Sequence, residues 1–160
     1  MELSNILAAL GIGALPIFEL RGAIPWAISV HHFPWYYALL FGIIGNLLPV
    51  PFILIFFDKI VELLSKVRFL DRFLRWFLER TRRRGRVVER YERIGLALFV
   101  AIPLPITGAW TGSILAVLLG LKYKYAFLSI IIGVIIAGII VTCATQLGWA
   151  ISGLFTTPVE

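Results

Sequence analysis

Ala14-Leu-Pro-Ile-Phe-Glu19-Leu-Arg21-Gly-Ala-Ile-Pro25-Trp26 is the stretch whose reading decides the fold. Glu19 and Arg21 are the only charged residues between Ser4 and Phe57, and they lie between Pro16 and Pro25 in apolar surroundings. A charge at membrane depth costs at least about 2.5–3.5 kcal/mol on insertion scales, and it marks a functional position by default. Proline at both ends argues against one straight helix through the segment. The stretch therefore reads as an irregular, re-entrant hairpin that buries a charged pair inside a membrane protein. Its break is expected at Glu19–Gly22, joining two half-length arms.

The composition agrees. The chain has 160 residues, of which 60% are hydrophobic and only 15% charged, with a mean hydropathy of +0.94. Soluble domains carry about a quarter charged residues. A single membrane domain over 1–160 is expected. The net charge of +6 sits in one stretch between membrane segments, which suits topology and anionic lipid better than nucleic acid. Cys143, the only cysteine, cannot form an intrachain disulfide and reads as a small core residue. No Cys/His cluster, phosphate loop or Ser/His/Asp set stands out, so no metal, cofactor or enzymatic activity is expected. Met1-Glu2-Leu3-Ser4 lacks the basic start of a cleaved signal peptide.

Leu3 to Phe18 has 16 apolar or small residues, short of the roughly 20 that cross hydrocarbon. Gly22 to Ser29 is shorter still, so 3–29 reads as the first re-entrant hairpin. His31-His32-Phe33-Pro34 makes a turn, and Trp35, Tyr36 and Tyr37 an interface belt. Residues 35–57 read as a span, kinked or unwound near Pro49 and Pro51, in which Asn46 bonds a neighbouring helix or lines a substrate path. Asp58 to Phe77 alternates apolar and charged residues at helical spacing, an amphipathic helix for the interface plane. Arg82, Arg83, Arg84 and Arg86 follow as a topology anchor or a contact for anionic lipid headgroups. Residues 94–121 number 28, too many for one span and too few for two, and Pro103–Ser113 interrupts them. They read as a second re-entrant hairpin, with 125–151 as the last span.

Sliding the sequence by 88 positions lays Tyr37 on Tyr125, Ala38 on Ala126 and Gly45 on Gly133. The same order, broken hairpin, aromatic interface and long span, occurs in 1–57 and in 94–155. Residues 58–93 hold twelve Lys/Arg and six Asp/Glu, which places them in the cytoplasm. The two spans then run in opposite directions and the hairpins enter from opposite faces. The fold expected is an all-α integral membrane protein: an inverted repeat of re-entrant hairpin plus transmembrane helix, linked by a cytoplasmic amphipathic helix. It would be a multi-pass protein of the cytoplasmic membrane with both termini outside.

The loop E-L-R-G-A-I-P at Glu19–Pro25, the partner P-L-P-I-T-G-A-W-T-G at Pro103–Gly112 and the basic middle resemble the putative small multi-drug export protein family. More distantly, the chain is similar to the DedA/VTT superfamily of lipid-handling membrane proteins. The resemblance covers nearly the whole chain. It implies two facing re-entrant hairpins and transport of a hydrophobic or lipid-like substrate. DedA-type hairpins use acidic and arginine residues, which here only Glu19 and Arg21 match. The second hairpin offers Thr107, Trp110 and Thr111 but no charge. The chain does not resemble the shorter four-helix small multidrug resistance transporters.

The residues expected to contact substrate are Glu19, Arg21, Gly22, Pro25, Asn46, Thr107, Trp110 and Thr111. In an extended loop, Glu19 and Arg21 would point to one side and share a target. Arg21 offers a planar fork suited to phosphate, and helix N-termini near Pro25 and Thr107–Ser113 would add N–H groups. Glu19 would couple transport to protons if loosely paired and act as a fixed charge if held tightly by Arg21. Phe18, Trp26 and Trp110 pack in the interior or meet an acyl chain or aromatic drug, and His31 and His32 serve the outer turn. Three functions stay open. The first is a transporter or flippase for an anionic, lipid-like amphiphile. The second is a proton-coupled exporter of cationic drugs, and the third a non-transporting scaffold. Partners would be membrane lipids, a hydrophobic or lipid-phosphate substrate and protons. Two hairpins and two spans make a thin wall, which leaves room for a homodimer joined at Gly133 and Gly138.

Overall fold

The computed structural model describes residues 2–65, 86–103 and 107–156. Among them every regular element is a helix: α1 (Leu3–Ala14), α2 (Glu19–Ser29), α3 (Trp35–Leu47), α4 (Val50–Ser65), α5 (Arg86–Ala101), α6 (Ala109–Leu118) and α7 (Tyr123–Thr156). Two stretches are long and apolar enough to cross a membrane, Trp35–Phe57 with 23 residues and Tyr123–Gly148 with 26. Their outer sides carry exposed Leu40, Phe52, Ile55, Leu128, Ile132 and Ile139. An exposed apolar surface of that extent belongs in lipid rather than water. The chain is an all-helical membrane protein.

The first break falls where proline chemistry requires it. A residue before proline is pushed out of the helical region, and Leu15, preceding Pro16, has φ −76° and ψ 138°. Helix α1 therefore stops at Ala14. The chain re-enters helix at Glu19, which takes the left-handed value φ 47°, and its amide bonds the Leu15 carbonyl at 3.0 Å. The break is thus Leu15–Phe18, earlier than the expected Glu19–Gly22, and the charged pair opens α2 instead of lying in an extended loop. Pro25 sits inside α2 and does not begin a helix. It removes one helical hydrogen bond, yet Ala23, Ile24 and Ala27 around it are fully buried, and that packing holds the helix together.

Leu48 and Pro49 interrupt the first span between α3 and α4, as the paired prolines predict. Helix α4 runs on to Ser65, into residues expected to start the separate amphipathic helix. Residues 66–85, including Arg82, Arg83 and Arg84, lie outside the described residues. Helix α5 begins at Arg86 instead of Ile94, because arginine and glutamate are good helix formers and carry the helix into the charged stretch. The last helix starts at Tyr123 and ends at Thr156, beyond the expected 125–151.

Packing follows the order of the chain. Helices α1 and α2 lie on α3, and α5 and α6 on α7; α2 then reaches α7 while α6 reaches α4. Two glycines set the closest approaches. A Cβ on Gly45 would come 2.5 Å from the Leu10 carbonyl oxygen of α1, and one on Gly133 would come 2.7 Å from that of Ala97 in α5. A Cβ on Gly138 would instead meet the end of the Leu39 side chain of α3 at 2.8 Å. Gly133 and Gly138 thus both carry contacts within the chain.

Candidate functional site

The two breaks meet. Gly108, with φ 152°, precedes α6, and a Cβ there would overlap the Glu19 carboxylate oxygens. Only glycine leaves room for that carboxylate at the start of α6. The Trp110 amide donates to Glu19 Oε1 at 3.4 Å, while the Trp110 indole Nε1 donates to the Ala14 carbonyl at 3.0 Å. That second bond satisfies a carbonyl at the C-terminal end of α1, where helices leave acceptors unpaired. Glu19 consequently lies in the first turn of α2 and against the N-terminus of α6, two positive dipole ends. This explains how a carboxylate only 4% exposed is accommodated.

Arg21 Nη2 donates to Glu19 Oε2 at 3.3 Å and to the Thr107 carbonyl at 3.3 Å. Thr107 in turn donates its hydroxyl to Ile102 at 2.6 Å, closing the turn across the second break. Strong charge-assisted contacts of this kind are usually about 2.7–2.9 Å and often bidentate. This pair has one longer contact, and its partners differ in exposure, 27% for the Arg21 side chain and 5% for that of Glu19. The guanidinium faces outward and the carboxylate inward. A ligand arriving from outside meets the cation first.

Asn46 of α3 lies 1% exposed beside the pair, and its Oδ1 has no hydrogen-bond partner. It shares with Glu19, Arg21 and Thr107 a cavity of about 10 Å³, closed on the far side by Val134, Ala137 and Val141 of α7. Of the expected contact residues, Glu19, Arg21, Asn46, Thr107 and Trp110 thus converge. Thr111 is close by but spends its hydroxyl on the Gly108 carbonyl at 3.3 Å. Gly22 accommodates the Phe18 side chain, and Pro25 lies further along α2, away from the cavity. Arg86 opens α5, well away in sequence from the break that meets Glu19.

The aromatic residues divide. Trp110 is a hydrogen-bonding clamp between α6 and α1, and Trp26 packs at a tilt of 52° against His31 with ring centroids 4.3 Å apart, so His31 belongs to the turn. Phe18 stays half-exposed at the tip of the first break beside Ile17. Sequence reasoning missed Gly108 and the Ala14 carbonyl. The Thr-Gly pair just before α6 was the only available signal, as a glycine ahead of a helix permits a backbone that other residues resist.

No curated protein and no solved structure matches the chain. The sequence profile of the family described as "Putative small multi-drug export protein" matches residues 19–140, from the site glutamate to the middle of α7. That stretch includes the second break, the whole first span and most of the second, and the chain belongs to this family of small multi-drug export proteins.

Proposed function

We propose that the chain is a secondary transporter that moves an amphipathic substrate with an anionic, lipid-like headgroup across the cytoplasmic membrane, using Arg21 and Glu19 as its polar site. One observation carries this reading: where two helix breaks meet, the Glu19 carboxylate is buried and the Arg21 guanidinium, 3.3 Å from it, is the more exposed partner. A purely structural pair would be expected to be short and bidentate. An arriving phosphate can take the Arg21 fork while Glu19 keeps its place at the α6 N-terminus. Phe18 and Ile17, exposed at the tip of the first break, supply apolar surface for the substrate's tail.

The architecture behind this reading is a pair of inverted, re-entrant hairpins, each followed by a span. Support comes from the element order, which occurs twice, and from Gly45 and Gly133, which close the same kind of contact in the two halves. The basic segment 58–93 faces the cytoplasm and contacts anionic lipid there, while both termini lie outside. The protein works without a cofactor and makes or breaks no covalent bond.

Reconstituted vesicles test the proposal. Arg21→Ala is expected to lower movement of a phosphate-headed lipid at least tenfold, while Glu19→Gln keeps movement and flattens its pH dependence. The reverse order of severity would instead assign the site to proton-coupled export of cationic drugs. Full activity in both folded variants would leave a scaffold.

A further inference from the structure

Asn46 stands out once the site is assembled. It is 1% exposed, its Oδ1 lacks a partner, and it borders the same small cavity as Glu19, Arg21 and Thr107. Buried polar atoms are almost always hydrogen-bonded, to protein or to an ordered water. The cavity of about 10 Å³ has room for about one water. Its walls carry a carboxylate, a guanidinium and a carboxamide, the two to four polar partners that such a water needs.

We propose that this cavity is an internal single-water site, in which one water bridges Asn46 Oδ1 and the Glu19–Arg21 pair. The water donates one hydrogen to Asn46 Oδ1 and the other to the carboxylate, and accepts from a polar N–H on the wall. A metal cation does not fit the same space, because the guanidinium lining it already supplies the positive charge. Asn46 is then a positioning residue. It holds the water beside Glu19, in the cavity that Arg21 also lines, and so provides a place from which a proton can reach or leave the carboxylate. Val134, Ala137 and Val141 line the site from α7, so a movement of α2 relative to α7 would change its hydration.

The inference deepens the site of the proposed transporter, but its test does not depend on transport. Infrared spectroscopy of the full chain in lipid, exchanged between ordinary water and water carrying oxygen-18, reads internal waters directly. A narrow isotope-sensitive O–H band is expected in the wild type and is expected to vanish in Asn46→Leu, with the band kept in the remote variant Gly11→Ala. Should Asn46→Leu not fold, Asn46→Ser changes the water's partner and is expected to shift the band. No isotope-sensitive band in the wild type, or one unchanged in both Asn46 variants, overturns the proposal. A thermal midpoint that rises with sodium but not with choline overturns it as well, in favour of a cation.

Discussion

The two halves of the chain use the same order of pieces for unequal work. In the first, a broken helix pair carries both charges, Glu19 and Arg21. In the second, the matching pair contributes no charged side chain to the cavity; it supplies a glycine, a helix N-terminus and two backbone atoms, the Trp110 amide and the Thr107 carbonyl. A buried ion pair is not in itself a source of stability, because desolvation offsets its attraction. The second half offsets that cost with fixed dipoles, which add no further charge to be buried. The halves therefore differ in what they bring to the site, charge from the first and fixed dipoles from the second.

Breaking the second half at its glycine should have the largest effect. Gly108→Ala places a methyl group into the Glu19 carboxylate and forces alanine to φ 152°. A loss of more than about 2 kcal/mol is expected, read as a fall in thermal midpoint and matched by loss of transport. Gly120→Ala, at φ 67° with open space around it, gives the strain alone and should cost about 1 kcal/mol.

Gly45→Ala and Gly133→Ala sharpen the likeness of the halves. Each meets a backbone carbonyl, at 2.5 and 2.7 Å, so each should cost about 1–3 kcal/mol, and the two losses should agree closely. A large difference between them would break the equivalence. Gly11→Ala has nothing within 4 Å and should be neutral or stabilising by about 0.5–1 kcal/mol, through the helix preference for alanine.

Trp110→Phe removes the indole bond to Ala14 and retains most of the ring. A loss of about 0.5–1.5 kcal/mol is expected, seen in the thermal midpoint with pH dependence unchanged. Glu19→Gln should have only a modest effect on stability, because the amide oxygen can still accept from Trp110. Its midpoint should move by less than about 1.5 kcal/mol, while the pH dependence of transport flattens.

Much of this was legible in the sequence. Pro16 marked the end of α1, Pro49 the interruption of the first span, and the Pro103–Ser113 interruption the second break. The converging set Glu19, Arg21, Asn46, Thr107 and Trp110 followed from asking which polar residues an apolar chain keeps. The position of the pair within its break was not legible. Glu19 enters helix through a left-handed backbone conformation, which no local preference of glutamate announces. Pro25 misled because burial of Ala23, Ile24 and Ala27 outweighs one lost hydrogen bond. Gly108 could not be singled out, since its role depends on a carboxylate from the other half of the chain. Gly133 and Gly138 carry contacts within the chain that the sequence did not announce, because small residues serve contacts within and between chains equally well.

The central claim is that the Glu19–Arg21 site binds an anionic amphiphile through Arg21. Native mass spectrometry of gently extracted protein tests it most directly, with wild type and Arg21→Ala examined side by side. A phosphate-bearing lipid retained by the wild type and lost from the folded variant is the expected result. Equal retention by both, or none in the wild type under conditions that keep other membrane lipids attached, would contradict it.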